Sequence, residues 1–153
     1  MRAAVEVNQN LKINSYTAKD EDLKGILRGF SDGKIEMLFA MKMLDEGVDV
    51  PRAEVGIFAS STGNPRQFIQ RRGRLLRKHK DKTNALIYDM VVVPPLNDPN
   101  TEYYRMERDQ VKNELRRVAY FSSLSMNFYD TKNSLQDICQ KYDLNIDEII
   151  QEL

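Results

Sequence analysis

Short apolar runs alternate with segments of helical period through the first two thirds of the chain, the sequence form of a parallel sheet covered by helices. Leu11–Tyr16 alternates as a strand does. Asp20–Phe30 follows with Leu23, Ile26, Leu27 and Phe30 at the spacings of one helix face. Ser31-Asp32-Gly33 supplies the stop, because glycine accepts the left-handed turn after a helix without steric cost. Ile35–Ala40 and Glu54–Ser60 have the length and apolar content of strands, and Glu46–Pro51 between them is too polar for a core and reads as a loop at a strand end. Pro65 suits the first turn of a helix. Arg66–Arg77 reads as that helix, burying Phe68, Ile69 and Leu75 with Leu76 at the margin, and Asn84–Val93 is the most strand-like segment of all.

The last third follows a different pattern. Pro94-Pro95 and the polar residues to Asn100 read as a linker. Thr101–Ser123 reads as one charged helix whose apolar stripe is Tyr104, Val111, Leu115 and Val118. Two short helices close the chain: Leu135, Ile138, Cys139 and Tyr142 share one face, as do Ile146, Ile149, Ile150 and Leu153, with Asn145 and Glu148 able to cap the last. The predicted organisation is a three-layer α/β domain with a mostly parallel sheet over residues 1–97, and a helical extension over residues 98–153.

Composition narrows the chemistry. A chain of 153 residues can bury one ordinary core. Its 23 Lys and Arg balance 23 Asp and Glu, so affinity for nucleic acid or acidic membranes has to be local. The single cysteine, Cys139, excludes an internal disulfide and a cysteine-rich zinc site, and reads as a buried structural thiol. The single histidine, His79, leaves no material for a histidine-based metal site or triad, so no metal ligands are expected in this chain. With no signal-like start and no apolar run of spanning length, the expectation is a cytoplasmic protein without a membrane partner.

Against that neutral background, Gln67–Lys78 is sharply basic. On a helix Gln70, Arg74 and Arg77 fall four and three residues apart on one face, and Gly73 among them removes a side chain that would obstruct a ligand or a second backbone. Guanidinium groups suit phosphate oxygens, being permanently charged and able to donate two parallel hydrogen bonds. The bland alternative is a solvated basic face, which is what most Arg-rich helices are. In Glu46–Pro51, Gly47 permits an unusual backbone angle and Asp49 offers a carboxylate that could accept from a ribose hydroxyl. Alone, that loop would read as an ordinary acidic turn before a strand.

The two segments together resemble motifs V and VI of the second RecA-like domain of superfamily 2 helicases of the DEAD/DEAH-box type. Glu46-Gly47-Val48-Asp49 matches the first, and Gln70-Arg71-Arg72-Gly73-Arg74-Leu75-Leu76-Arg77 the second, in the family's order and with a strand and loop between them. Motif VI at this length is specific, whereas motif V alone is weak. Phe30-Ser31-Asp32-Gly33 and Arg66-Gln67-Phe68 are similar to the branch holding XPB-type repair helicases and restriction-enzyme motor subunits, which favours DNA over RNA as the track. The resemblance covers residues 11–93.

What the resemblance implies is a RecA-like fold and a half-site for ATP. Arg74 and Arg77 would act as arginine fingers on the γ-phosphate of ATP, with Gln70 beside it. Asp49, Gly47 and Gly73 would belong to the nucleotide-binding surface, and Thr17, Lys42, Ser61 and Thr62 to the grip on the nucleic-acid backbone. ATP with Mg2+ would be held mainly by a first RecA-like domain, the expected partner, because the sequence contains no Gly-x-x-x-x-Gly-Lys-Ser/Thr loop and no Asp-Glu-x-His or Asp-Glu-x-Asp box. The chain is thus expected not to hydrolyse ATP alone. Because the family's second domain begins with a strand and helix ahead of the segment at Leu11, the resemblance also implies a domain shortened at its N-terminal side. A competing expectation is a non-catalytic nucleic-acid or protein-binding module that uses Arg66–Lys82 as an electrostatic patch. A helix-turn-helix over Leu135–Leu153 is disfavoured by its acidic last helix.

Overall fold

The computed structural model describes residues 6, 8–40, 49–59, 65–95 and 97–152. The chain divides into two compact units, Met1–Tyr88 and Asp89–Leu153.

In the first unit β1 (Ile13–Tyr16) pairs in parallel with β2 (Met37–Ala40), in a register that sets Ile13 against Met37 and Tyr16 against Ala40. Parallel neighbours need a crossover, and α1 (Leu23–Ser31) supplies it. Asp22 starts this helix by accepting the Gly25 N–H at 2.8 Å, satisfying one of the donors a first turn leaves open. Leu23, Ile26, Leu27 and Phe30 form the half-buried face that their spacing predicts. The helix stops where Gly33 takes a φ of 76°. There Arg52 lies over the turn, donating from Nη1 to the Ser31 carbonyl at 3.0 Å, and a Cβ on Gly33 would stand 2.5 Å from that nitrogen.

β3 (Val55–Phe58) and β4 (Leu86–Asp89) form a second hydrogen-bonded pair, so the four described strands stand as two two-stranded sheets. Between them in sequence lies α2 (Pro65–Leu75). Leu75 is buried against β3 at Gly56, where a Cβ would stand 2.4 Å from the leucine Cδ2. That close approach is what glycine is needed for at this position. Ile69 and Leu76 do not bury as their spacing predicts, being 43% and 47% exposed. Among the described side chains of this helix Leu75 is the buried one, and the side chain of Phe68, also expected in the core, lies outside those described.

The second unit is helical: α3 (Glu102–Ser122), α4 (Phe128–Ser134), α5 (Gln136–Lys141) and α6 (Ile146–Gln151). Thr101 caps α3 by accepting from Tyr104 N–H, and Asn145 caps α6 by accepting from Asp147 N–H at 2.9 Å while its amide reaches Glu148. The α3 stripe meets α5 and α6 in one core of Val111, Leu115, Ala119, Leu135, Cys139, Tyr142, Ile146 and Ile149. Tyr104 stacks on Tyr142 with ring centroids 6.1 Å apart, and Tyr103 points to solvent at 72% exposure. Arg108 donates to the carbonyls of Tyr142 and Asp143, closing the C-terminal end of α5 where Asp143 adopts φ 49°. Among the described residues no helix is long and apolar enough to cross a membrane.

Candidate functional site

The structure brings together the two segments that the sequence marks for chemistry. Arg77 Nη1 forms an ion pair with Asp49 Oδ2, joining positions 28 residues apart in the chain. Arg77 does not stand on the helix. The last helical bond at this end runs from Leu76 N–H to the Arg72 carbonyl, and α2 itself closes at Leu75, so the expected helix to Arg77 is too long by one or two residues. Gln70, Gly73 and Arg74 share a face of α2 by their spacing, and Arg77 reaches Asp49 from the segment just beyond. Gln70 and Gly73 are exposed and Arg74 is half-buried. Among the described residues a Cβ at Gly73 would meet no atom within 4 Å, so their packing does not call for glycine there.

Both partners of the Arg77–Asp49 pair are about half exposed, at 51% and 49%. A solvent-screened pair of this kind is worth only about 0–1 kcal/mol. The guanidinium is therefore oriented by a carboxylate that a stronger anion can replace. A phosphate, which takes two parallel N–H donors with more charge, is such an anion.

A third residue, which the charge pattern assigns only to the basic patch, organises this region. Lys82 Nζ donates to the carbonyls of Pro51 at 3.0 Å, Ala53 at 2.9 Å and Leu75 at 2.5 Å. Burial lowers its pKa from the ordinary lysine value, and the nearby Glu54 charge offsets part of that. An ammonium carries three donors, and all three are used. Nothing in the charge run Arg71–Lys82 distinguishes Lys82 from its neighbours; only the fold reveals its contacts.

Of the positions expected on the nucleic-acid grip, Thr17 is described and Lys42, Ser61 and Thr62 lie outside the described residues, as does Gly47 of the nucleotide surface. Thr17 gives both its backbone N–H (2.6 Å) and its hydroxyl (2.9 Å) to Asp20 Oδ2, and Ser15 Oγ donates to the other carboxylate oxygen at 3.1 Å. The Thr17 backbone bond, then its hydroxyl bond, hold the Asp20 carboxyl below its usual range, with burial opposing and the Ser15 bond assisting. A phosphate at Thr17 would have to take these donors from Asp20. Among the described residues no group of three or more His, Cys, Asp or Glu side chains stands together as a metal site.

The helicase conserved C-terminal domain family matches residues 5–79, a span that contains Asp49, all of α2 and Arg77. The chain carries the C-terminal RecA-like domain of a superfamily 2 helicase. It is similar to the DNA 3'-5' translocase XPB2 of Sulfurisphaera tokodaii, with 38% identity over 98 residues that cover 64% of this chain and 20% of that protein. A Dicer-like protein 2 of Neurospora crassa is 31% identical over 104 residues, covering 66% of this chain and 6% of that one. The chain thus spans about a fifth of the length of these relatives or less. Among solved structures, the C-terminal domain of the DEAD-box protein Dbp5 aligns with a TM-score of 0.49 at 12% identity, over 99% of this chain and 74% of that one. Within the residues matched to that family, the Asp49–Arg77 contact joins the two segments whose sequences resemble motifs V and VI.

Proposed function

We propose that this helicase domain is the second motor domain of an ATP-dependent DNA helicase or translocase, completing an ATPase whose ATP and Mg2+ are bound mainly by a first RecA-like domain of the same protein. The observation that carries this reading is the ion pair of Asp49 with Arg77, which holds the motif VI guanidinium beside the motif V carboxylate in a form open to exchange.

In this reading Arg77 leaves Asp49 for a γ-phosphate oxygen, at a cost of about 1 kcal/mol or less. Arg74 donates to the same group from α2, and Gln70 orients beside it. ATP supplies the phosphoryl group, whose transfer to water spreads negative charge over its outer oxygens. Fixed guanidinium donors stabilise that charge most when they are oriented before it develops. Asp49, once released, is free to accept from a ribose hydroxyl, Gly47 lets its loop couple the nucleotide to the track, and Gly73 leaves room for the approaching domain. Lys42, Ser61 and Thr62, with Thr17 after release from Asp20, hold backbone phosphates and so impose little sequence preference.

DNA is favoured as the track because the relative from Sulfurisphaera tokodaii is named a DNA translocase. The binding-module reading loses two cations of its patch, since Arg77 is held by Asp49 and Lys82 by three carbonyls. The experiment is nucleic-acid-stimulated ATP hydrolysis by this domain joined to its first RecA-like domain, wild type beside Arg74→Ala, with DNA and RNA in parallel. DNA-stimulated hydrolysis that falls about 10³-fold in the variant supports the motor. Equal rates in both proteins would return Arg74 to surface decoration, and stimulation by RNA alone would correct the track.

A further inference from the structure

We infer that Lys82 is a positioning residue, whose ammonium ties the segment that follows Asp49 to the C-terminal end of α2 and so sets where Arg77 meets Asp49. Two of its three acceptors, the Pro51 and Ala53 carbonyls, lie two and four residues after Asp49, and the third, the Leu75 carbonyl, lies two residues before Arg77. Lys82 comes back to this point because the chain reverses directly after Arg77-Lys78, with the Lys82 N–H bonded to the His79 carbonyl at 3.1 Å. The fixed points are themselves anchored: Ala53 is buried and bonds through its N–H to the Val50 carbonyl at 3.0 Å, and Leu75 is buried on Gly56.

The geometry is specific to lysine. Three carbonyls converge on one nitrogen, which a compact ammonium with three rotatable donors satisfies and a planar guanidinium does not. The Leu75 carbonyl is one of those a helix end leaves without an intrahelical partner, so Lys82 also marks where α2 stops and Arg77 departs. The half-exposed Asp49–Arg77 pair is too weak to hold these two segments by itself. Lys82 does so from beneath. The catalytic meaning of the tether rests on the motor reading above; the tether itself does not.

The test uses NMR of the 153-residue chain, following the Nε–Hε signals of the arginine side chains. Arg77→Lys identifies the Arg77 signal, and Asp49→Asn gives its position when the pair is broken. Lys82→Met keeps the stem and removes the donors, and Lys82→Gln serves as a second variant that retains polarity. The inference expects a folded Lys82→Met or Lys82→Gln chain in which the Arg77 signal has moved to its Asp49→Asn position. A folded variant with Arg77 still at its wild-type position overturns it. If neither variant folds, Lys82 is a stability residue only and the inference also falls. In the protein joined to its first RecA-like domain, Lys82→Met is expected to lower kcat about 10²-fold, the scale of a misplacement near 1 Å, with KM for ATP changed far less. A wild type without ATPase activity would overturn the motor reading while leaving the NMR result to decide the tether.

Discussion

Arg117 offers the sharpest test of how the helical unit is held. Its side chain is 10% exposed on α3, with Nη1 paired to Asp89, whose side chain is 17% exposed, and Nη2 2.5 Å from Glu114 one helical turn earlier. Burial lowers the guanidinium pKa, and the Asp89 bond, the Glu114 bond and the two carboxylate charges more than reverse this, so that the net shift is upward. Replacing Arg117 with Met keeps most of the apolar stem and takes the guanidinium away from two carboxylates that are largely shielded from water. Removing one member of a buried pair costs about 3–5 kcal/mol. Because both carboxylates keep some solvent contact, the lower end, about 3 kcal/mol, is expected, a loss of about a hundredfold in the ratio of folded to unfolded unit. Urea unfolding followed by circular dichroism measures it. Asp89→Asn added to Arg117→Met should recover part of the loss, since one stranded charge is gone. A single-variant loss under 1 kcal/mol, or a double variant less stable than the single, would refute the view that this cluster is an electrostatic anchor.

Gly33→Val should destabilise the first unit by about 1–2 kcal/mol from backbone strain at φ 76° alone, with more from displacing Arg52; a thermal melt that is unchanged would contradict it. Asp20 has a folded pKa below its ordinary value, so its contribution is present above the ordinary carboxylate value and is lost as pH falls through the lower, folded one. Asp20→Asn should therefore flatten the fall in melting temperature below about pH 4, and parallel wild-type and variant profiles would count against the Thr17 and Ser15 bonds. Burial raises the Cys139 thiol pKa, so alkylation by iodoacetamide at pH 8 should be slow in the folded chain and rapid in denaturant. Fast labelling of the folded chain would place the thiol outside the core.

Much of this molecule is legible in the amino-acid order, for identifiable reasons. The face Leu23, Ile26, Leu27, Phe30 and the stripe Val111, Leu115 each keep helical period along one side of a helix, so pattern and burial coincide. The α2 boundary is not legible, because Arg77 sits at a continuing helical spacing and only the Lys82 contact with the Leu75 carbonyl marks the stop. Ile69 has the right spacing for a core position but faces no neighbour among the described residues that buries it. The short helix α4 escapes because Phe128 and Tyr129 lie side by side at its start and leave no period to read. At the candidate site, motif order points to Gln70, Arg74 and Asp49 as candidates, whereas Lys82 is one cation among many until its three acceptors are seen.

The most direct measurement is single-turnover ATP hydrolysis, with ATP affinity measured alongside, by the domain joined to its first RecA-like domain, comparing wild type with Arg77→Ala on DNA. A drop in the hydrolysis rate of about 10³-fold with ATP affinity nearly unchanged is the result expected of an arginine that acts on the transition state. An unchanged rate would contradict it and leave Arg77 as no more than the surface partner of Asp49.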